Sequence, residues 1–214
     1  MQKRQLTPLD RLLASANNAL RTVAAPAGRP ARPNPAEHII DAELDERQKA
    51  HAAGLMRVNH AGEVAAQALY QGHAAVARDT SIEKQLQHAA DEEFDHLAWC
   101  EQRVNELGEN VSRLTPVWYA GAFAIGAASG ILGDRWSLGF IQETESQVCA
   151  HLDNHLDSLP ADDAKSRAIV EQMRDEEEVH GEQAADAGAA DLPRPVRRLM
   201  QITAKVMTRT AYWV

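Results

Sequence analysis

Apolar positions recur with a helical period through most of the chain. Leu9, Leu12, Leu13, Leu20 and Val23 fit one face of a short amphipathic helix, and Pro26 to Pro35 reads as a linker. From about Asp45 to Asp79, Leu55, Val58, Ala65, Leu69 and Val76 trace a slowly drifting stripe. Thr80 or Ser81 is placed to cap a next helix, which carries Leu86, Ala90, Leu97 and Val104 and should stop near Gly108. Leu114 to Gly133 contains no charged residue and stands apart. Asp134 then reads as the cap of a helix to about Ser158, Pro160 as its break, and Asp162 as the cap of another running to about Gly188. Pro193 and Pro195 introduce a last helix through about Tyr212. The predicted fold class is all-α.

Composition supports that class, since Ala is abundant and aromatic content is only 5%. At 214 residues, 44% hydrophobic and 25% charged, the chain suits one soluble globular domain. The expected organisation is a basic, Pro-rich arm over residues 1–40 and a helical domain over 41–214. Cys100 and Cys149 form no C-x-x-C, so neither a thiolate metal site nor a disulfide framework is implied, and two buried thiols are expected. The net charge of −9 is unevenly spread. Residues 1–35 and 192–214 each carry an excess of five positive charges, which leaves a strongly acidic centre. Basic ends suit anionic lipid headgroups. No long basic run is interleaved with aromatics, which argues against nucleic acid.

The acidic centre contains a repeat. Asp91-Glu92-Glu93-Phe94-Asp95-His96 returns 84 positions later as Asp175-Glu176-Glu177-Glu178-Val179-His180, and both read D-E-E-x-x-H. Residues i and i+3 share a helix face, so Glu93 pairs with His96 and Glu177 with His180. One E-x-x-H is weak, because a chain this rich in Glu and His yields about one by chance. Two copies sharing the preceding Asp-Glu are far more specific, the competing reading being a solvated helix face. Each copy follows a helix with a candidate Glu. Glu63 lies 30 residues before Glu93, and Glu145 lies 32 before Glu177, with Glu143 as a competitor. Glu63 sits among Ala61, Gly62, Val64 and Ala65, where an unpaired carboxylate would be costly.

A Glu from each of two helices plus Glu-x-x-His from each of two others is the pattern of ferritin-like dinuclear carboxylate bundles. Four carboxylates neutralise two divalent ions, and oxygen-rich ligands with one imidazole per metal suit iron or manganese better than zinc. The expected metal ligands are Glu63, Glu93, His96, Glu145, Glu177 and His180. Glu93 and Glu177 are the natural bridges, with Glu63 and His96 on one metal and Glu145 and His180 on the other. His60 shares the Glu63 face as an outer neighbour, while His151 and His155 either approach the site or reach solvent. His38, His51, His73 and His88 read as surface or packing residues, and Tyr70 and Tyr212 as packing before redox activity. The uncharged 114–133 segment is long enough to span a membrane, but its glycines and Pro116 weaken that reading. A helix dipping into one leaflet fits better, because spanning would put the half-sites on opposite sides; an internal core helix is the alternative. Arg194, Arg197, Arg198, Lys205 and Arg209, set against Leu199, Met200, Ile202, Val206 and Met207, give the last helix a basic amphipathic surface.

Several of these motifs together resemble a known family. Arg57-Val58-Asn59-His60-Ala61-Gly62-Glu63, the Glu93/His96 pair, Glu145 with His151 and Asn154, and Arg174-Asp175-Glu176-Glu177 with His180 are similar to the di-iron demethoxyubiquinone hydroxylases of ubiquinone biosynthesis. The resemblance covers roughly residues 40–214. Gly133-Asp134-Arg135-Trp136 and the long N-terminal arm resemble the bacterial branch, although the arm's Pro-rich character has no explanation there. It implies a ferritin-like four-helix bundle with a dinuclear metal site, extended by a hydrophobic and a C-terminal amphipathic helix. The implied enzyme is a monooxygenase that hydroxylates the ring of a polyprenyl methoxy-methyl-benzoquinol. Two Fe ions per chain, O2 as co-substrate and an external two-electron donor, NADH or a reduced partner, would serve it. The implied location is peripheral, on the cytoplasmic side of the bacterial cell membrane, with other ubiquinone-biosynthesis proteins as candidate partners. A ferritin-like iron-storage protein and a purely structural helical bundle are the competing readings.

Overall fold

The computed structural model describes residues 8–23, 30–76 and 80–214. Among them are seven helices and no strand: α1 (Pro8–Val23), α2 (Glu46–Val76), α3 (Thr80–Glu106), α4 (Thr115–Leu132), α5 (Asp134–Ser158), α6 (Ala164–Asp186) and α7 (Arg194–Ala211). Helices α2 and α3 form one hairpin, α5 and α6 a second, and the two face each other as a ferritin-like four-helix bundle.

The termini follow from local chemistry. Asp45 Oδ1 accepts from the amides of Arg47 and Gln48, while Gln48 Oε1 accepts from the Asp45 amide, a capping box that starts α2. Gly108, at φ +83°, ends α3 with the left-handed turn a Cβ would resist. Two expected caps are displaced. Gly133, not Asp134, is the cap residue between α4 and α5; its φ of +123° turns the chain with no intervening loop, and Asp134 stands in the first turn of α5. Asp163, not Asp162, caps α6, because its carboxylate is the one that accepts from the Ser166 amide at 3.1 Å. The cap of α3 and the stretch from Pro26 to residue 29 lie outside the described residues, as do the side chains of Leu9, Leu12 and Leu13.

The remainder of the Pro-rich stretch is bonded in place rather than a free tether. The Ala31 amide and the Arg32 guanidinium both donate to Asp95 on α3 at 2.7 Å. Cys100 is buried as expected, but Cys149 is only half-buried.

Helix α2 is buried along most of its length because α4 covers the side that the hairpins leave open. Small residues allow this approach. A Cβ on Gly126 would run into the Leu69 carbonyl, and one on Gly72 into the Phe123 carbonyl. The opposite side of α4 is apolar and open, with Val117, Ile131 and Leu132 59%, 64% and 66% exposed. Among the described residues it is the one helix long and apolar enough to cross a membrane. Leu199, Ile202 and Val206 form a second exposed apolar stripe on α7.

Two apolar clusters fill the bundle. One joins Met56, Trp99, Val104, Leu152, Ile169 and Met173, and the other joins Ala66, Tyr70, Leu86, Leu138, Ile141 and Ala184. On every bundle helix, the positions between these clusters carry the expected ligands: Glu63 on α2, Glu93 and His96 on α3, Glu145 on α5, and Glu177 and His180 on α6.

Candidate metal centre

In that middle layer α2 supplies Glu63, α3 supplies Glu93 and His96, α5 supplies Glu145, and α6 supplies Glu177 and His180. All six are buried, none more than 5% exposed. The i,i+3 spacing brings His96 Nδ1 to 3.2 Å from Glu93 Oε2 and His180 Nδ1 to 3.2 Å from Glu177 Oε2. The same nitrogens meet the opposite helix as closely. His96 Nδ1 is 3.1 Å from Glu177 Oε1, and His180 Nδ1 is 3.1 Å from Glu93 Oε1. Glu93 and Glu177 therefore each turn one oxygen toward each imidazole, the stance of a carboxylate shared between two positions. Glu63 Oε2 lies 3.6 Å from His96 Nδ1. Ligand atoms of Glu63, Glu93, His96 and Glu177 all fall within 4.8 Å of one another. Glu145 interacts electrostatically with Glu177, Glu93 and His180, and its Oε1 accepts from Tyr70 Oη at 2.7 Å.

Hydrogen bonding alone does not account for this crowd. A single Nδ1 can serve one acceptor well, yet three carboxylates converge on that of His96. Glu145 Oε2 is a buried oxygen without a hydrogen-bond partner, and Glu63 Oε2 has only the 3.6 Å approach of His96 Nδ1. Burial and the neighbouring Glu93 and Glu177 charges push the Glu63 carboxyl well above its ordinary range. Burial, then the same two charges, does likewise for Glu145. Burial opposes charge on His180 as well, but hydrogen bonds to Glu177 and Glu93 outweigh it and raise the imidazole to about 12. Burial opposes charge on Glu93 too, but hydrogen bonds from His180 and His96 outweigh it and hold its carboxyl well below the ordinary range. The protons favoured on Glu63, Glu145 and the two imidazoles are those that two divalent cations would replace, and the donor set of four carboxylates and two imidazoles fits such a pair.

Comparison with known proteins follows the same line. The family model described as ubiquinone biosynthesis protein COQ7 matches residues 50–211. The chain belongs to the COQ7 family. Among its relatives, the 3-demethoxyubiquinol 3-hydroxylase of Chromobacterium violaceum is 56% identical over 206 residues, covering 96% of this chain and all of the relative. Proteins with the same description from Pseudomonas putida (strain GB-1) and Nitrosococcus oceani are 54% and 51% identical. The first covers 98% of both chains and the second the whole of both.

Around the six residues, the COQ7-family chain carries an outer ring that spacing alone did not single out. His96 Nε2 is 2.6 Å from Glu176 Oε2, and His180 Nε2 is 3.0 Å from Glu92 Oε2. The first Glu of each D-E-E-x-x-H therefore reaches across to the histidine of the other repeat. The signal was present in the shared Asp-Glu, but its use is visible only once α3 and α6 are set face to face. Such outer carboxylates fix the imidazole tautomer and orientation. Tyr70, read first as packing, is also bonded to Glu145.

The other histidines separate cleanly. His60 is buried and held to about 4 by desolvation; its Nδ1 lacks a partner. It lines a cavity of about 320 Å³ with Leu97, Val111 and Pro116. His151 and His155 lie against each other, ring centroids 3.9 Å apart, rather than against the six. His51 bonds Tyr212 Oη at 2.7 Å, and buried His73 bonds Ser129 beneath α4. His38 and His88 are exposed.

Proposed function

We propose that this chain is a dinuclear-iron monooxygenase that hydroxylates the ring of a demethoxyubiquinol-type polyprenyl quinol, with O2 and two electrons from an external donor such as NADH or a reduced partner protein. The observation that carries the reading is the middle layer itself, in which Glu93 and Glu177 each face both imidazoles. Glu63 and His96 would complete one metal position, and Glu145 and His180 the other, all within residues 41–214. Two iron ions held there would supply O2 activation. The chain's own contribution is to fix ligand geometry, to exclude water with an apolar cluster at either end of the layer, and to seat the quinol ring. The cavity beside His60 supports the last role: it adjoins Leu97, the neighbour of His96, and falls within the usual size of a small-molecule site. His60, neutral near pH 7, can exchange a hydrogen bond with a ring oxygen there.

The substrate class also gives the exposed apolar surfaces a purpose. The open side of α4 and the stripe on α7, flanked by Arg197, Arg198 and Lys205, support peripheral attachment to an anionic membrane. For a chain whose relatives are bacterial, that is the cytoplasmic side of the cell membrane, where a lipid quinol and other ubiquinone-biosynthesis proteins would be met. An iron-storage role is not favoured, since it gives neither surface a use.

The test pairs metal analysis with a product assay. Protein loaded with iron should hold two ions per chain, and the reduced form given the demethoxy quinol and O2 should yield a product heavier by one oxygen atom. Iron oxidised and mineralised without that product would overturn the reading in favour of storage.

A further inference from the structure

The two halves of the metal centre match in their inner residues but not in what stands behind them. Glu92, behind His180, is 34% exposed, with His88 Nδ1 3.6 Å from the same oxygen. Glu176, behind His96, is anchored. Arg32 Nη1 donates to Glu176 Oε1 at 2.6 Å, and Gln172 Nε2 donates to the same oxygen at 2.6 Å. Arg32 Nε donates to Asp95 Oδ2 at 2.7 Å, and the Ala31 amide donates to Asp95 Oδ1 at 2.7 Å. The guanidinium lies 5.1 Å from the centroid of the Trp99 ring, which in turn is 5.4 Å from the His96 ring. One arginine from the segment preceding the bundle thus grips the residue before His96, the ring one turn after it, and the carboxylate across from it.

We infer that Arg32 is a positioning residue for His96: it clasps α3 to α6 through Asp95 and Glu176 and so makes the His96 side the better-ordered of two unequal metal positions. The chemistry is a relay of fixed geometry. Arg32 holds the Glu176 carboxylate still; that carboxylate accepts a hydrogen bond from His96 Nε2–H; the lone pair is then left on Nδ1, facing Glu63, Glu93 and Glu177. The fork of the guanidinium matters, because two carboxylates on different helices are bonded from two nitrogens while the cation lies over an indole. A lysine ammonium has the charge but not that shape. Behind His180, Arg32 reaches only the backbone carbonyl of Glu92, in a long 3.5 Å bond from Nη2, and does not bond the Glu92 carboxylate.

The inference rests on the proposed metal centre, so the test reads metal binding rather than turnover. Full-length protein freed of metal is titrated with Co(II), and the two binding events are followed by calorimetry and by the visible Co(II) bands. Wild type is expected to bind two ions with unequal affinities. R32A and R32K should both weaken one event about 10- to 100-fold and leave the other within a factor of about two. E176Q should weaken the same event and E92Q the other. In the Co(II) protein, one exchangeable, hyperfine-shifted imidazole N–H resonance should broaden in R32A while its partner persists, a change that general loosening would not produce. Equal weakening of both events, an unchanged R32A, or full restoration by R32K would each overturn the clasp while leaving the metal centre standing. A well-folded wild type that takes up fewer than two Co(II) per chain would overturn the centre and the clasp together.

Discussion

Arg103 offers a sharp test of how the bundle is held away from the layer of candidate ligands. It is fully buried, at 0% exposure, near the C-terminal end of α3. Its Nε donates to Ser166 Oγ at 2.9 Å, its Nη2 to Asp163 Oδ1 at 2.8 Å, and its Nη1 to Asp41 and Glu106, each at 3.1 Å. Asp163 is itself 1% exposed, and its Oδ2 has no other partner. R103M would keep most of the side chain's bulk while leaving a buried carboxylate with only the Ser166 amide. Breaking a buried ion pair from one side costs about 3–5 kcal/mol. For a chain of this size each kcal/mol moves the melting temperature by about 2–4 °C, so thermal denaturation followed by circular dichroism should show a drop of about 6–20 °C. D163N added to R103M should recover much of that loss, because the amide oxygen still caps α6 and no buried charge remains. Iron content should not change. A drop equivalent to less than about 1 kcal/mol, or a double variant no better than R103M, would refute the reasoning. The acid limb gives an independent reading. The hydrogen bond from Arg103 holds Asp41 below the ordinary carboxylate range. Burial pushes Glu106 up, but bonds from Gln102, Arg103 and Lys165 bring it down overall. Both groups titrate lower folded than unfolded, so their stabilisation is complete above their unfolded pKa values and fades as the pH falls through the folded ones. R103M should therefore lose stability less steeply than wild type between about pH 5 and pH 3.

Three further outcomes are expected. Y70F removes the donor to Glu145 Oε1, a buried oxygen, and should cost about 1–3 kcal/mol in chemical denaturation of the metal-free protein while the fold persists. G126L would press a side chain into the Leu69 carbonyl and force α4 off α2; a loss of about 1–3 kcal/mol or more and new proteolytic cleavage within 115–132 should accompany it. Replacing Leu199, Ile202 and Val206 with Ser should abolish co-flotation with anionic vesicles without lowering the melting temperature, since all three are more than half exposed.

The sequence was most legible where spacing is local. Helical period, Pro160, Gly108 and the proline pair before α7 placed the elements to within a few residues, and the two E-x-x-H pairs picked out residues that the bundle brings together. Glu63 and Glu145 were legible for a different reason, as acidic residues one helix upstream of each repeat. The illegible parts are those decided by partners far away. Arg32 sits in a stretch that reads as a linker because proline dominates it, yet its bonds reach 63 and 144 residues along the chain. Asp162 and Asp163 are equivalent on paper, and only the direction of the entering chain decides which carboxylate meets the Ser166 amide. Glu92 and Glu176 were visible as letters in the repeat, but their pairing crosses from one copy to the other.

That crossing has a consequence for how such a centre can be assembled. A lone hairpin of the α2–α3 kind possesses an imidazole whose outer nitrogen has nothing to lean on, so it is half of an object. Two identical hairpins related by a two-fold axis would supply each other's missing carboxylate, as any isologous pair does. This polypeptide writes both halves in tandem and keeps the reciprocal exchange, while Arg32, which bonds the carboxylate of Glu176 but only the backbone carbonyl of Glu92, is where the two halves part.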